Sequence, residues 1–336
     1  MIVPAPDAEG LLPSTLGALG ASTLPREQWE LIVVDDASTD DTALVAAERA
    51  DRVVRLPAPA RGPGGARNAA AGVARGDWLV FIDADVRVHP DTLERFAEHA
   101  DGRDPSLVAV FGSYDSRPAA AGLVTEYRNL LHRYVHLRGA GTAETFWAGC
   151  GAIRSDAFRA AGGFDTARFP RPQIEDIELG YRLRDAGGRI ALDPAIQGTH
   201  LKRWRFWQML RTDLRDRGVP WMRLLLERRG RTPASLNAGT HEQLKVALVV
   251  VALLALAGSL PLASPLLALA GVAVLAAVVA MNGATYAWFA RERGLAFAIA
   301  VVPLHLVYYA SNAVSAGIGL LLHLGRTPAS PNESAR

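Results

Sequence analysis

An open, mostly parallel α/β sheet with helices on both faces, followed by an all-α membrane region, is the fold class this sequence predicts. Three observations predict it. Short apolar runs alternate with amphipathic stretches through the first 200 residues. Two of those runs, Leu31–Val34 and Trp78–Ile82, end directly in carboxylates. From Val246 to Leu324 the only full charges are Arg291, Glu292 and Arg293.

The elements follow in order. Ile2–Ala5 reads as the end of a first strand. Leu11–Leu24 reads as a helix, because Leu12, Leu16 and Leu19 recur at helical spacing. Leu31–Val34 is a buried strand. Thr42–Ala50 is a helix capped from Ser38 to Asp41. Val53–Leu56 is a short strand, Gly62–Gly65 a turn and Ala66–Ala74 an alanine-rich helix. Trp78–Ile82 is a strand, Pro90–Ala100 a helix and Val108–Gly112 a further strand. Alternation of this kind builds a sheet whose ligands sit beyond the carboxyl ends of the strands.

Residues 201–241 differ. Lys and Arg alternate there with Trp204, Phe206, Trp207, Met209, Leu210, Trp221 and Met222. Basic residues interleaved with Trp and Leu suit a helix pair in the headgroup region; an ordinary amphipathic helix packed on the first domain is the plainer alternative. Then come 45 uncharged residues, Val246 to Ala290. At ~1.5 Å per residue they are too long for one crossing of a ~30 Å hydrocarbon core. Pro261 and Pro265 mark the break. Crossings are expected over Leu244–Leu260, Leu266–Trp288 and Leu295–His323, with a flexible tail at 326–336. The basic stretch before the first crossing should be cytoplasmic, placing the first 200 residues on the inner face of the cell membrane.

Composition narrows the rest. The chain has 336 residues, and its net charge of +2 says little because the charges are unevenly placed. No nucleic-acid partner is expected; the basic stretch fits membrane lipids instead. Cys150 is the only cysteine, which excludes an intrachain disulfide and a multi-thiolate zinc site.

Four groups could do chemistry. Asp83 and Asp85 are two apart at a strand end, where their oxygens suit Mg²⁺ or Mn²⁺ bridging a diphosphate; a solvated loop would read the same. Asp35 and Asp36 end another strand and could accept from a base N–H or a ribose hydroxyl, or could belong to the helix cap. Gly62–Asn68 runs into a helix start, where backbone amides favour phosphate and Arg67 could add a charged contact. Glu175 and Asp176 open a helix carrying Leu179 and Leu183. Asp176 could take a proton from an acceptor hydroxyl, or both acids could simply stabilise the helix.

Together, Ile2–Ala5, Val33–Asp40, Gly65–Asn68, Phe81–Asp85, Gly162–Asp165 and Glu175–Leu179 resemble the family 2 glycosyltransferases of GT-A fold, over about residues 1–200. The resemblance implies a nucleotide-diphosphate-sugar donor. It implies that Pro4, Ala5 and Asp36 hold the nucleoside, and that Asp83 and Asp85 hold ribose, metal and diphosphate. Asp176 becomes the general base of an inverting transfer, and Trp147, Gly149, Gly163 and Phe164 line the sugar and acceptor pocket. Glu175, His200, Arg203 and Trp204 border the acceptor side. A lipid-linked or glycolipid acceptor follows from the apolar tail. The opening departs from the pattern, with Asp7 where relatives carry an Asn near that position. Gln197 stands five residues before Arg203-Trp204, so the Q-x-x-R-W motif of processive synthases is not matched. Transfer of a single sugar is therefore favoured over a processive polysaccharide synthase or an inactive sugar-nucleotide-binding scaffold.

Overall fold

The computed structural model describes residues 1–102, 104–228 and 239–325. The expected tail at 326–336, and 229–238 of the basic stretch, lie outside the described residues. The chain divides into two compact units. One holds Met1–Arg205 and Thr285–Val301; the other holds residues 206–228, 240–284 and 302–325.

The first unit is built on one sheet. Its strands are β1 (Ile2–Ala5), β2 (Ile32–Asp36), β3 (Arg52–Leu56), β4 (Trp78–Ile82), β5 (Val86–Val88), β6 (Leu107–Tyr114), β7 (Gly141–Ala143), β8 (Cys150–Arg154) and β9 (Arg189–His200). Their order is β3-β2-β1-β4-β8-β6-β9-β5, with β7 also on β9. The parallel half expected from the sequence is β3-β2-β1-β4. Beyond it the sheet is mixed, because β8 runs antiparallel to both β4 and β6. Alternate side chains of one strand feed two cores. Val33 packs with Leu12, Leu16, Leu19 and Phe96 on one face. Its neighbours Ile32 and Val34 pack with Ala66, Ala70, Phe158 and Leu179 on the other.

Two local differences from the sequence reading have physical causes. Gly62–Gly65 is not a turn ahead of a helix but the first turn of the helix Gly62–Ala71. Gly62 takes φ +73° at the entry, and Pro63 fits the first turn, where an N–H has no partner. A Cβ on Gly65 would lie 2.6 Å from Arg61 Cβ, so the glycine lets the turn close. The second difference is strand β9 itself, which the sequence reading did not include and whose pairing with β6 slips between Phe111↔Leu192 and Ser113↔Gln197. Gly112 makes room there for the Ile196 backbone. The bulge delivers His200 opposite Val86, one residue after Asp85.

In the second unit the helices Thr240–Ser259, Pro265–Met281 and Val302–Leu324 share a small core of Val249, Val278 and Tyr309. By length and composition Thr240–Ser259 and Leu295–Leu324 could cross a membrane. A straight second crossing over Leu266–Trp288 is not what forms. The helix stops at Met281, bends by 60° and resumes as Gly283–Arg293. Asn282 causes the break: its Nδ2 donates to the Val278 carbonyl at 2.9 Å, displacing the regular ladder. Its Oδ1 accepts from Lys245 at 3.0 Å and from Tyr309 at 2.9 Å. The expected helix pair in the basic stretch is one continuous helix, Phe206–Glu227, with a π-helical stretch at Thr212–Gly218.

Candidate active site

The turn after β4 carries the Asp83/Asp85 pair and is anchored from three sides. The Asp83 amide donates to the Gly149 carbonyl of the segment entering β8 at 3.1 Å. The Leu201 amide, just past β9, donates to the Asp85 carbonyl at 2.8 Å. The Thr15 hydroxyl donates to the Ala84 carbonyl at 2.7 Å. A backbone so pinned presents its carboxylates with little ordering left to do on binding. The side chains of Asp83 and Asp85 remain 33% and 25% exposed, so both reach solvent.

Arg67 joins this pair to the second acidic group. Its guanidinium lies 2.6 Å from Asp83 Oδ1 and 3.3 Å from Glu175 Oε1, and the side chain is almost wholly buried. Rather than facing solvent as a free phosphate contact, Arg67 bridges two carboxylates that are 108 and 16 residues away in sequence. Burial pulls the guanidinium pKa down, but Asp83, Glu175 and Asp176 outweigh it and raise it. Burial pushes the Asp83 carboxyl up against the pull of Arg67, with Asp85 and Asp176 adding repulsion. Burial also pushes Asp85 up, yet the His200 ring, its Nε2 3.6 Å away, and Lys202 behind it leave the carboxyl below the usual range. Glu175 is raised, by burial first and by Asp176 next. Opposed shifts on adjacent carboxylates are common where a site must hold charge.

Asp176 sits in the first turn of the helix Glu175–Asp185. Its Oδ2 accepts the Ala148 amide at 3.1 Å, and its Oδ1 the Ile177 amide at 2.8 Å. Gly180 allows this helix to press against the backbone of Thr145 and Phe146, where any Cβ would collide. That approach brings Asp176 beside the Trp147–Gly149 segment, and Gly149 in turn holds Asp83.

The remaining expected residues divide. Pro4 and Ala5 are buried in β1, and the Ala5 carbonyl accepts from the Ser38 hydroxyl at 3.2 Å. Asp36 is buried and accepts the Arg61 amide at 2.8 Å. Trp147 is half-buried; a Cβ on Gly149 would strike its indole, so the glycine seats the ring. Gly163 takes φ +70° and leaves space for the Asn68 side chain. Phe164 does not line the opening: its ring packs 5.5 Å from those of Phe81 and Phe158, because Asn68 clamps its backbone on both sides. Arg203 is exposed. Trp204 is buried, with its backbone tied to Thr125 and with Lys202 and Arg128 at 4.5 and 5.1 Å from its ring centroid.

Sequence reasoning missed an aromatic wall. Tyr114 stacks on His200 at 4.3 Å and meets Trp147 at 4.8 Å; His132 lies 4.6 Å from Tyr114 and 4.7 Å from Trp147. Its members come from β6, β9, the segment before β8 and the helix Leu123–Arg138, so no linear motif could signal it. His136 stands behind the wall, buried, with Nδ1 3.0 Å from the Gly112 carbonyl. Burial lowers its pKa to about 4. Between about 4 and the unfolded value near 6.5 the unfolded chain binds the extra proton, so folding stability falls as pH drops through that window. The full effect is on the order of 3 kcal/mol. The thermal midpoint should therefore fall more between pH 7 and 4.5 in the wild type than in His136→Gln; equal falls would contradict this.

Among the described residues no cluster of three or more potential metal-ligating side chains occurs. The Asp83/Asp85 pair still fits Mg²⁺ or Mn²⁺, which commonly take one or two carboxylates and complete their shell with substrate phosphates and water.

Comparison with known proteins agrees with this geometry. Residues 1–162 match the model of Glycosyl transferase family 2. The Succinoglycan biosynthesis protein ExoO of Rhizobium meliloti is 51% identical over 74 residues, 21% of each chain. Validoxylamine A glucosyltransferase of Streptomyces hygroscopicus subsp. limoneus is 30% identical over 224 residues, 56% of this chain and 48% of that one. The match thus spans between a fifth and about half the length of these relatives. Mannosyltransferase PcManGT from Pyrobaculum calidifontis, solved with GDP-Man and Mn²⁺, superposes with a TM-score of 0.57 at 22% identity, over 94% of this chain and 85% of that one. With its mixed sheet and paired acids, the first unit has a GT-A fold, and its residues 1–162 are similar to glycosyl transferase family 2.

Proposed function

We propose that this protein is a membrane-anchored, inverting glycosyltransferase that moves a single sugar from a nucleotide-diphosphate-sugar donor to a lipid-linked or membrane-associated acceptor. The observation that carries the reading is the Arg67 junction, which ties the Asp83/Asp85 turn to the Glu175–Asp176 helix start. Two acidic groups about ninety residues apart are thereby joined through one guanidinium; in this reading one serves a donor diphosphate and the other an acceptor hydroxyl.

Residue roles are assigned as the family resemblance implies. Pro4, Ala5 and Asp36, at the carboxyl ends of β1 and β2, hold the nucleoside. Asp83 and Asp85 would hold Mg²⁺ or Mn²⁺, whose charge offsets that building on the departing diphosphate. Asp176 accepts the proton of the acceptor hydroxyl as its oxygen attacks the anomeric carbon. The bond to the nucleoside diphosphate breaks on the opposite face, so configuration inverts. Trp147, Gly149 and Gly163 shape the sugar pocket, with Glu175, His200, Arg203 and Trp204 on its acceptor side. The helices Thr240–Ser259 and Leu295–Leu324 anchor the chain in the cytoplasmic membrane, with Met1–Arg205 on the cytoplasmic side.

The test is a screen of nucleotide-diphosphate sugars for thermal stabilisation with and without Mn²⁺ or Mg²⁺, then turnover on extracted lipids. One donor at about a hundred times its Kd should stabilise the fold by about 2.7 kcal/mol, and only with metal present. Asp85→Asn should lose most of that gain. Failure of every donor to shift the midpoint would overturn the reading.

A further inference from the structure

Thr285–Val301 lies in the chain between two apolar helices, yet it belongs to the unit that carries the sheet. Two kinds of contact hold it there. Phe289 is fully buried, with its ring edge-on to Tyr127 at 6.4 Å and 6.5 Å from Tyr134. Arg293 inserts beside it. Its Nε donates to Glu126 Oε2 at 2.9 Å, its Nη1 to the Glu292 carbonyl at 2.9 Å and its Nη2 to the Ser116 carbonyl. Three acceptors met by three separate nitrogens suit a planar guanidinium better than an ammonium, whose donors share one atom.

Ser116 opens a short stretch that leads to the carboxylate pair. Its neighbour Asp115 accepts from Thr199 Oγ1 at 2.5 Å and from the Arg117 amide at 2.8 Å, and pairs with His89 Nε2 at 3.0 Å. Three residues on, the Ala119 amide donates to the His200 carbonyl at 2.9 Å. The His200 ring stacks on Tyr114 and places Nε2 3.6 Å from Asp85. One side of the proposed acceptor opening is thus tied to β9 at Thr199 and His200 and, at Ser116, to the connector formed by Thr285–Val301.

We propose that Arg293 is a positioning residue: by holding the Ser116 carbonyl it fixes residues 115–119, and through them the acceptor-side wall formed by Tyr114 and His200. The connector contacts no substrate. Its role is to make the geometry of that wall depend on a segment bound at both ends to apolar helices. The inference rests on the glycosyltransferase reading only for what the wall binds; the clamp itself stands on these contacts. A path of contacts becomes coupling only when perturbing one end moves the other.

The experiment is hydrogen exchange on the full chain in nanodiscs of phosphatidylethanolamine and phosphatidylglycerol. In Arg293→Ala, amides of 115–119 should exchange roughly tenfold faster, with those of β2 and β8 unchanged. Arg293→Lys should lie between. Glu126→Gln, which spares the Ser116 contact, should leave 115–119 within about twofold of wild type. Unchanged exchange at 115–119 in Arg293→Ala would overturn the proposal, as would a uniform rise across the sheet, which would make Arg293 a general stabiliser. With the donor found by the screen, Arg293→Ala should raise KM for the lipid acceptor roughly tenfold and leave KM for the donor unchanged; a rise shared by both would also count against it. If no donor stabilises the wild type, the functional reading fails while the exchange result still decides the clamp.

Discussion

Asp176→Asn should lower turnover by about 10²–10⁴-fold while donor affinity stays within about threefold. The asparagine is nearly isosteric and keeps the helix start, but it cannot take a proton. One further cost is built in. The carboxylate accepts two backbone amides, from Ala148 and Ile177, on separate oxygens. An amide offers one acceptor and turns its NH₂ toward the other N–H, so about 1–2 kcal/mol of stability should be lost as well. Turnover and thermal midpoint must be read on the same preparation. A variant that binds the donor, melts a few degrees lower and retains more than a tenth of wild-type turnover would remove Asp176 from the role of base. A large fall in donor affinity would move it to the donor side instead.

Arg67→Met should be the most destabilising single change near the site, at about 3–5 kcal/mol near pH 8. Methionine fills a similar volume without charge. Glu175, 6% exposed, then keeps a buried negative charge with no cation beside it. Asp83, at 33% exposure, is better solvated, so most of the cost falls on Glu175. The pH dependence has a definite sign. Both carboxyls already sit above their ordinary values, through burial and through repulsion from neighbouring acids. Without Arg67 they rise further, and protonation relieves the penalty as pH falls. The gap in thermal midpoint between wild type and Arg67→Met should therefore be larger at pH 8 than at pH 5. Arg67→Lys should be intermediate, because one ammonium cannot span both partners. Equal stability of wild type and Arg67→Met at pH 8 would show that the bridge does not hold the two acidic groups together.

Much of the first unit was legible in the chain. Val33-Val34-Asp35-Asp36 and Phe81-Ile82-Asp83-Ala84-Asp85 announce buried strands that end in acids, because a strand buried on both faces needs a continuous apolar run. The helix starting at Glu175 was readable from Leu179 and Leu183 at one face and Gly187-Gly188 at its end. The helix Leu123–Arg138 was not, because its buried face includes Thr125, Asn129 and His136 in place of aliphatic residues, which blurs the period. Strand β9 was hidden by Asp193-Pro194, an interruption that a bulge absorbs. Asn282 reads in the sequence as a polar residue at membrane depth of the kind that marks helix contacts; which contacts, Lys245 and Tyr309, is decided only in the fold.

Local pattern thus determined most strands and helices of the first hundred residues, where the carboxylates stand on them, and that the run from Val246 to Leu324 is apolar enough for a bilayer. Periodicity and residue type act over a few neighbours, and a linear chain records them directly. Tertiary structure decided that Arg67 bridges Asp83 and Glu175 instead of waiting for phosphate, that Phe164 turns into the core, and that Tyr114, His132, Trp147 and His200 form one wall. It also returned Arg293 to Ser116, 177 positions earlier in the chain. Such pairings depend on how strands are ordered and where a sheet bulges, and distance in space between remote residues leaves no periodic trace along the sequence.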